Sequence, residues 1–189
     1  HYQPIPTFDG RLYLSGYYQS EKYFTEYYSQ ILDIINLQKY RSDIKAKYKE
    51  LLSDENPYIS MQFRLGDAKR SNSQHHIITV TEFPQYYSAA LNNILETLGD
   101  QKYTILYFYE DEDATVVESK IREIQEEFSE KCTFRRGKGE DWEELLLMSC
   151  CDHNIIDNST FGWWGAKFND NPNKIVYRPK QWFGKSLAY

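Results

Sequence analysis

The chain has 189 residues, 41% hydrophobic and 26% charged, which suits one well-packed domain and is short for two. A net charge of -6 excludes a nucleic-acid wrapping surface, which needs a basic stripe, and no apolar run reaches bilayer-spanning length or reads as a signal peptide. Its three cysteines, Cys132 and the adjacent Cys150 and Cys151, form neither a disulfide framework nor a C-x-x-C pair, so buried thiols in a reducing compartment are expected.

In chain order, Pro4, Pro6 and the turn pair Asp9-Gly10 predict an extended entry. Ser20 is placed to cap a helix from Glu21, with Phe24, Tyr28, Ile31 and Ile35 at helical spacing. A charged helix is predicted from Tyr40 to Leu52, and Asn56-Pro57 ends it. Residues 1–56 thus read as a lead-in and residues 57–189 as the domain proper. Tyr58 to Arg64 alternates as a strand with Ile59, Met61 and Phe63 on one face. Leu65-Gly66-Asp67 reads as a turn, and Ala68 to Thr79 as a polar loop in which His75 and His76 are loop residues rather than metal ligands. A helix from Pro84 to Leu98 stops at Gly99. Tyr103 to Tyr109 is an apolar run of the kind buried on both faces of a sheet. Val117, Ile121, Ile124 and Phe128 mark an amphipathic helix. A strand from Cys132 to Arg135, a turn from Arg136 to Glu140 and a helix from Asp141 to Cys151 come next. The last elements are a strand from His153 to Asp157, a helix from Ser159 to Phe168 and a strand from Lys174 to Tyr177.

Strands alternating with helices predict an α/β fold, a Rossmann-like parallel sheet with helices on both faces. Such sheets hold ligands beyond the carboxyl ends of their strands. The places to search are therefore the turns after Arg64, Tyr109, Arg135 and Asp157. In the first, Arg64 followed by Gly66 suits a planar fork against a diphosphate with close backbone approach, although Arg64 paired with Asp67 is the plainer reading of those residues alone. In the second, Glu110 and Asp111 suit a metal, ribose hydroxyls or a helix N-terminus, and Asp113 suits a helix cap. No other residues complete a metal site. In the helix after the third, Glu144 at the edge of a leucine run has the two acceptors that guanine's N1 and exocyclic amine require; a solvated helix glutamate is the equal alternative. In the fourth, Asn158, Ser159, Thr160 and Phe161 open a helix whose free N–H groups and dipole suit phosphate, against a plain N-cap. A cap needs only one of these residues and does not account for Gly162, Trp163, Trp164 and Gly165 behind it. Asn158-Ser159-Thr160 also fits a glycosylation sequon, which a reduced chain does not use.

Together these segments resemble glycosyltransferase family 11, the α-1,2-fucosyltransferases. The segment from Gly16 to Phe24 resembles the family's G-Y-F-Q-S-E-K-Y-F, Gln62 to Asp67 its H-x-R-R-G-D, and Phe108 to Asp111 its F-S-D-D. Glu144 to Ser149 resembles D-L-x-L-M-S, His153 to Ala166 resembles H-N-I-I-A-N-S-S-F-S-W-W-G-A, and Pro179 to Phe183 resembles P-K-x-W-F. The resemblance implies the C-terminal, nucleotide-binding half of a GT-B enzyme. That enzyme transfers fucose from GDP-fucose to the 2-hydroxyl of galactose with inversion, using no metal or cofactor beyond the donor. The implied donor site is Gln62, Arg64, Gly66, Glu110, Asp111, Glu144, Asn158, Ser159, Thr160 and Phe161, with Arg64 and Asp67 the catalytic candidates. It also implies a glycan acceptor and an N-terminal domain opened by a glycine-rich segment, which this sequence does not show. Gln62 stands where the family has histidine and Leu65 where it has a second arginine. These departures motivate an alternative, a non-catalytic GDP or GDP-sugar binding domain of a larger protein, and the motifs leave the donor sugar open.

Overall fold

The structure, a computed structural model, describes residues 2–15, 18, 20–65, 83–99 and 101–180. The expected turn at Gly66 and Asp67, the polar loop with His75 and His76, and the end of the Pro179–Phe183 block lie outside the described residues. The chain divides into two compact units, one up to Tyr40 and one from Arg41 on.

In the first unit residues 2–15 form no helix or strand and bend at Asp9-Gly10. Ser20 does act as a cap, its hydroxyl accepting from the backbone N–H of Lys22. It opens a 3-10 turn, Glu21–Tyr23, rather than a long helix; a second such turn, Thr25–Tyr27, precedes α1, Tyr28–Ile34. The rings of Tyr2 and Tyr18 pack on Tyr23, with centroids 4.8 and 5.2 Å away. Asn36, at φ +53, ends the segment and α2, Leu37–Lys47, begins; it starts earlier and ends sooner than expected.

The second unit carries the sheet. Its strands are β1 (Tyr58–Gln62), β2 (Tyr103–Phe108), β3 (Cys132–Arg136), β4 (His153–Ile155) and β5 (Val176–Tyr177). Between them run α3 (Phe83–Leu98), α4 (Ala114–Phe128), α5 (Asp141–Ser149) and α6 (Thr160–Phe168). All pairings are parallel, in the order β3-β2-β1-β4-β5. The chain thus steps from β1 outward to β3, then returns to the other side of β1 for β4. That reversal opens a crevice at the carboxyl ends of β1 and β4, the place where parallel α/β sheets bind ligands.

One layer of core joins Ile59, Met61 and Phe63 of the β1 segment to Tyr87, Leu91 and Ile94 of α3 and Val117, Ile121 and Ile124 of α4. Burying each such side chain contributes about 1.5–3 kcal/mol. The alternation seen in β1 does not mark a solvated face: Ser60 and Gln62 are buried too. The Nδ2 of Asn154 donates to the Ser60 hydroxyl at 2.7 Å and to the Met148 carbonyl at 2.8 Å, which ties β1, β4 and α5 together. Asn169, just past α6, donates to Asn154 Oδ1 at 2.8 Å and completes the knot. α6 lies close on α5, since a Cβ on Gly165 would meet Met148 at 3.0 Å. The sheet is therefore covered on both sides, with α3 and α4 on one face and α5 on the other.

Candidate functional site

A cleft of about 530 Å³ lies at the carboxyl ends of the strands. Gln62, Phe63 and Arg64 line it from the end of β1, Phe108 to Asp111 from the end of β2, and Lys138 and Gly139 from the turn after β3. Asp141 and Glu144 enter from the first turn of α5, and Phe161 from the first turn of α6. The ends of β1 and β2, the turn after β3 and the first turns of α5 and α6 thus meet in one place. Of the expected donor-site residues, Gln62, Arg64, Glu110, Asp111, Glu144 and Phe161 line the cleft. Asn158, Ser159 and Thr160 sit one step back, where the chain turns from β4 into α6, and Gly66 and Asp67 lie outside the described residues.

The α6 end is the arginine and helix-terminus side. Ser159 is the N-cap of α6, yet its hydroxyl makes no cap bond; the oxygen is buried and has no hydrogen-bond partner among the described residues. The plain capping reading therefore fails here. Gln62 Oε1 is likewise buried and unpartnered, and it points at Gly162. Buried polar atoms left unpaired cost free energy and are uncommon. Behind them Trp163 and Trp164 pack edge to face with centroids 4.8 Å apart, and Trp164 packs on Phe168 in a tilted arrangement with centroids 5.2 Å apart.

Beneath the crevice lies Asp157, 2% exposed. Its Oδ2 accepts from the backbone N–H of Arg64 at 3.4 Å and lies 3.5 Å from the Tyr87 hydroxyl oxygen, and its Oδ1 accepts from the N–H of Asn158 at 2.6 Å. Burial pushes its carboxyl up to about 6, against the pull of these donors. Asp113, which reads as a helix cap, makes no cap bond. It is fully buried, and its Oδ2 accepts from the N–H of Leu65 at 3.2 Å, so it holds the β1 turn instead. Leu65 itself is in the core at 1% exposure, so the position where the family has a second arginine faces inward.

The β3 end is charged. Asp111 pairs with Lys138 at 2.7 Å and with Arg136, and those two bonds hold its carboxyl below the usual range. Arg136 also lies over the ring of Tyr109, 3.9 Å from its centroid. Asp111 thus sits between two cations at this end of the cleft. Among the described residues no group of three His, Cys, Asp or Glu side chains is gathered for a metal. Local sequence marks Arg136 and Lys138 only as turn residues; two cations beside Gly137 and Gly139 in a strand-to-helix turn are the signal that points to them.

Glu144 is half-buried, and burial pushes its carboxyl up. Its Oε1 accepts from the N–H of Gly139 at 3.2 Å. Its neighbour Glu143 is a structural residue that local sequence does not distinguish. It closes a capping box with Glu140, bonds the Tyr48 hydroxyl at 2.7 Å and pairs with Lys47. Those partners, Lys47 foremost, hold its carboxyl down at about 2. Through it α2 and Tyr48 fix the first turn of α5 and so the wall of the cleft. Cys132 and Cys151 are buried free thiols and Cys150 is half-buried. Among the described residues no helix is long and apolar enough to cross a membrane.

A doubly wound parallel sheet with a polar cleft across its switch point defines an α/β ligand-binding domain of Rossmann-like type. The chain belongs to glycosyl transferase family 11, whose model matches residues 6–182. It is similar to the O-antigen biosynthesis glycosyltransferase WbnK of Escherichia coli, 27% identical over 143 residues that cover 72% of this chain and 42% of that protein. It is also similar to an alpha-1,2-colitosyltransferase of Escherichia coli, 26% identical over 175 residues that cover 92% of this chain and 57% of that protein. Among solved structures, a mutant of Arabidopsis thaliana FUT1 in complex with GDP is 16% identical, at a TM-score of 0.49, over 75% of this chain and 34% of that one. The chain spans about half the length of the curated relatives it matches.

Proposed function

We propose that this chain is the donor-binding half of a GT-B glycosyltransferase that moves fucose from GDP-fucose to a glycan hydroxyl, galactose O2, with inversion. The observation that carries the reading is the cleft. It brings Arg64 to the α6 end and Glu144 to the α5 end of one groove, in a chain of glycosyl transferase family 11. The groove suits a diphosphate at the first end and guanine at the second.

In the reaction the acceptor oxygen bonds to the anomeric carbon from the face opposite the donor bond. The bond from that carbon to the β-phosphate oxygen breaks, and GDP leaves with the electron pair. The acceptor proton passes to a base, for which Asp67 is the candidate this chain offers. Arg64 and the N-terminus of α6 stabilise the charge growing on the departing diphosphate. This reading calls for no metal or cofactor beyond the donor, since Arg64 and the N-terminus of α6 are the positive elements it uses as countercharge.

The name of one relative supports a second reading in which the transferred sugar is colitose rather than fucose. The test of the function is turnover of GDP-fucose by the full-length protein and by its Arg64→Ala variant. Activity in the parent and its abolition in the variant are expected. Turnover near the parent level in the variant overturns the assignment of Arg64, and GDP binding without any transfer favours a non-catalytic module.

A further inference from the structure

We propose that Asp157 is a positioning residue of the donor cleft, one buried carboxylate bracing the Arg64 turn and the turn into α6 against each other. The proposal rests on the donor-binding reading of the cleft. The ladder between β1 and β4 has its last paired residues at Met61 and Ile155. Beyond that pair no ladder joins the two strands among the described residues, so none sets the width of the crevice there. Asp157 spans the gap: Oδ2 accepts from Arg64 on the β1 side and Oδ1 from Asn158 on the β4 side.

Helix α3 supports the same two ends. The Tyr87 hydroxyl donates to the Gln62 carbonyl at 2.7 Å and the Tyr86 hydroxyl to the Ile156 carbonyl at 2.7 Å. Among the described residues the charged and titratable groups acting on Asp157 from the packed elements are Arg64 after β1, Tyr86 and Tyr87 of α3 and, through Tyr86, Arg178 after β5. The brace thus fixes the backbone from which Arg64 projects relative to the first N–H groups of α6. Those are the two elements that a diphosphate would bridge.

The chemistry gives a test in which charge and geometry have opposite signs. A carboxylate offers an acceptor to both turns. An asparagine offers one acceptor and turns an amide N–H toward the other donor, so one side of the brace is lost. Removing the negative charge, by contrast, favours an anionic ligand.

The experiment is calorimetry of the full-length protein and its Asp157→Asn variant with GDP and with GMP, alongside thermal melts. The variant is expected to lose about tenfold in GDP affinity, the worth of a hydrogen bond to a charged group, and clearly less in GMP affinity, so that the preference for the diphosphate shrinks. Unchanged or tighter GDP binding overturns the brace, as does an equal loss for both nucleotides, which marks general loosening. If the amide variant fails to fold, Asp157→Ala, which removes both acceptors and adds no misplaced donor, is measured with the same expectation. A parent protein that binds neither nucleotide overturns the donor reading itself and the brace with it, an outcome distinct from a parent that binds and a variant that binds equally well.

Discussion

Gln62 and Gly162 share one space. A Cβ on Gly162 would land well inside contact distance of Gln62 Oε1 and 3.2 Å from both Gln62 Cδ and Ile156 Cβ. The glycine is needed for this close approach and not for any unusual backbone angle, since it lies in the first turn of α6. Ile156 Cβ is fixed to the backbone and cannot withdraw, and Gln62 makes room only by swinging out into the cleft that it lines. Overpacking of this kind typically costs about 1–3 kcal/mol.

Gly162→Ala is therefore expected to destabilise the protein in denaturant melts by roughly that amount, and to displace Gln62 from the cleft wall. The same substitution made in a Gln62→Ala background should cost roughly half as much or less, because residues in direct contact are not additive. Equal costs in the two backgrounds would show that the pair does not touch.

Much of this arrangement was legible in the sequence, and its failures share one cause. The apolar run of β2, the stop at Gly99 and the helix marked by Val117, Ile121, Ile124 and Phe128 are local patterns, and local patterns survive folding. What misled were polar residues whose partners lie far along the chain. Nothing beside Ser60 in the sequence indicates that Asn154, on the neighbouring strand, is its partner. Asp113 reads as a cap, yet it serves Leu65 in another element. Asp157 reads as the end of a strand, and nothing next to it indicates that it reaches the backbone of Arg64. The motifs located the cleft because each falls at a strand end; the struts beneath it become visible only when those ends are brought together.

Glu143 predicts the acid limb of the stability curve. Its folded carboxyl sits at about 2 against an ordinary 4.5, held there first by Lys47 and then by Tyr48. A depressed carboxyl stabilises the fold fully above the ordinary value, and the contribution is lost as pH falls from 4.5 toward 2. Asp157 has the opposite sign: its folded value of about 6 lies above the ordinary 3.8, so its ionisation opposes folding as pH rises through that window. Glu143→Gln should therefore flatten the decline in stability below pH 4.5 while leaving the slope between 4.5 and 6 as it was. Urea melts across this range check both parts, and an unchanged decline below 4.5 would remove Glu143 as its source.

Glu144 carries the prediction about the base. Its Oε1 is engaged by the N–H of Gly139, but a carboxylate oxygen accepts in two directions, so both oxygens retain capacity toward the cleft. Guanine presents adjacent N1–H and 2-amino donors, and hypoxanthine presents N1–H alone. A carboxylate meets both donors of guanine, whereas a glutamine meets one and opposes the other. Under the proposed function the parent protein should therefore prefer GDP to inosine diphosphate. Glu144→Gln should weaken GDP by about tenfold, the cost of leaving one buried donor unpaired, and weaken inosine diphosphate by less. Calorimetry with the two nucleotides measures the preference directly. Because burial raises the Glu144 carboxyl, and a protonated acid donates where an acceptor is required, GDP affinity should also fall on the acid side sooner than an ordinary glutamate would allow. Equal losses for both nucleotides would place recognition of the base on other residues of the cleft.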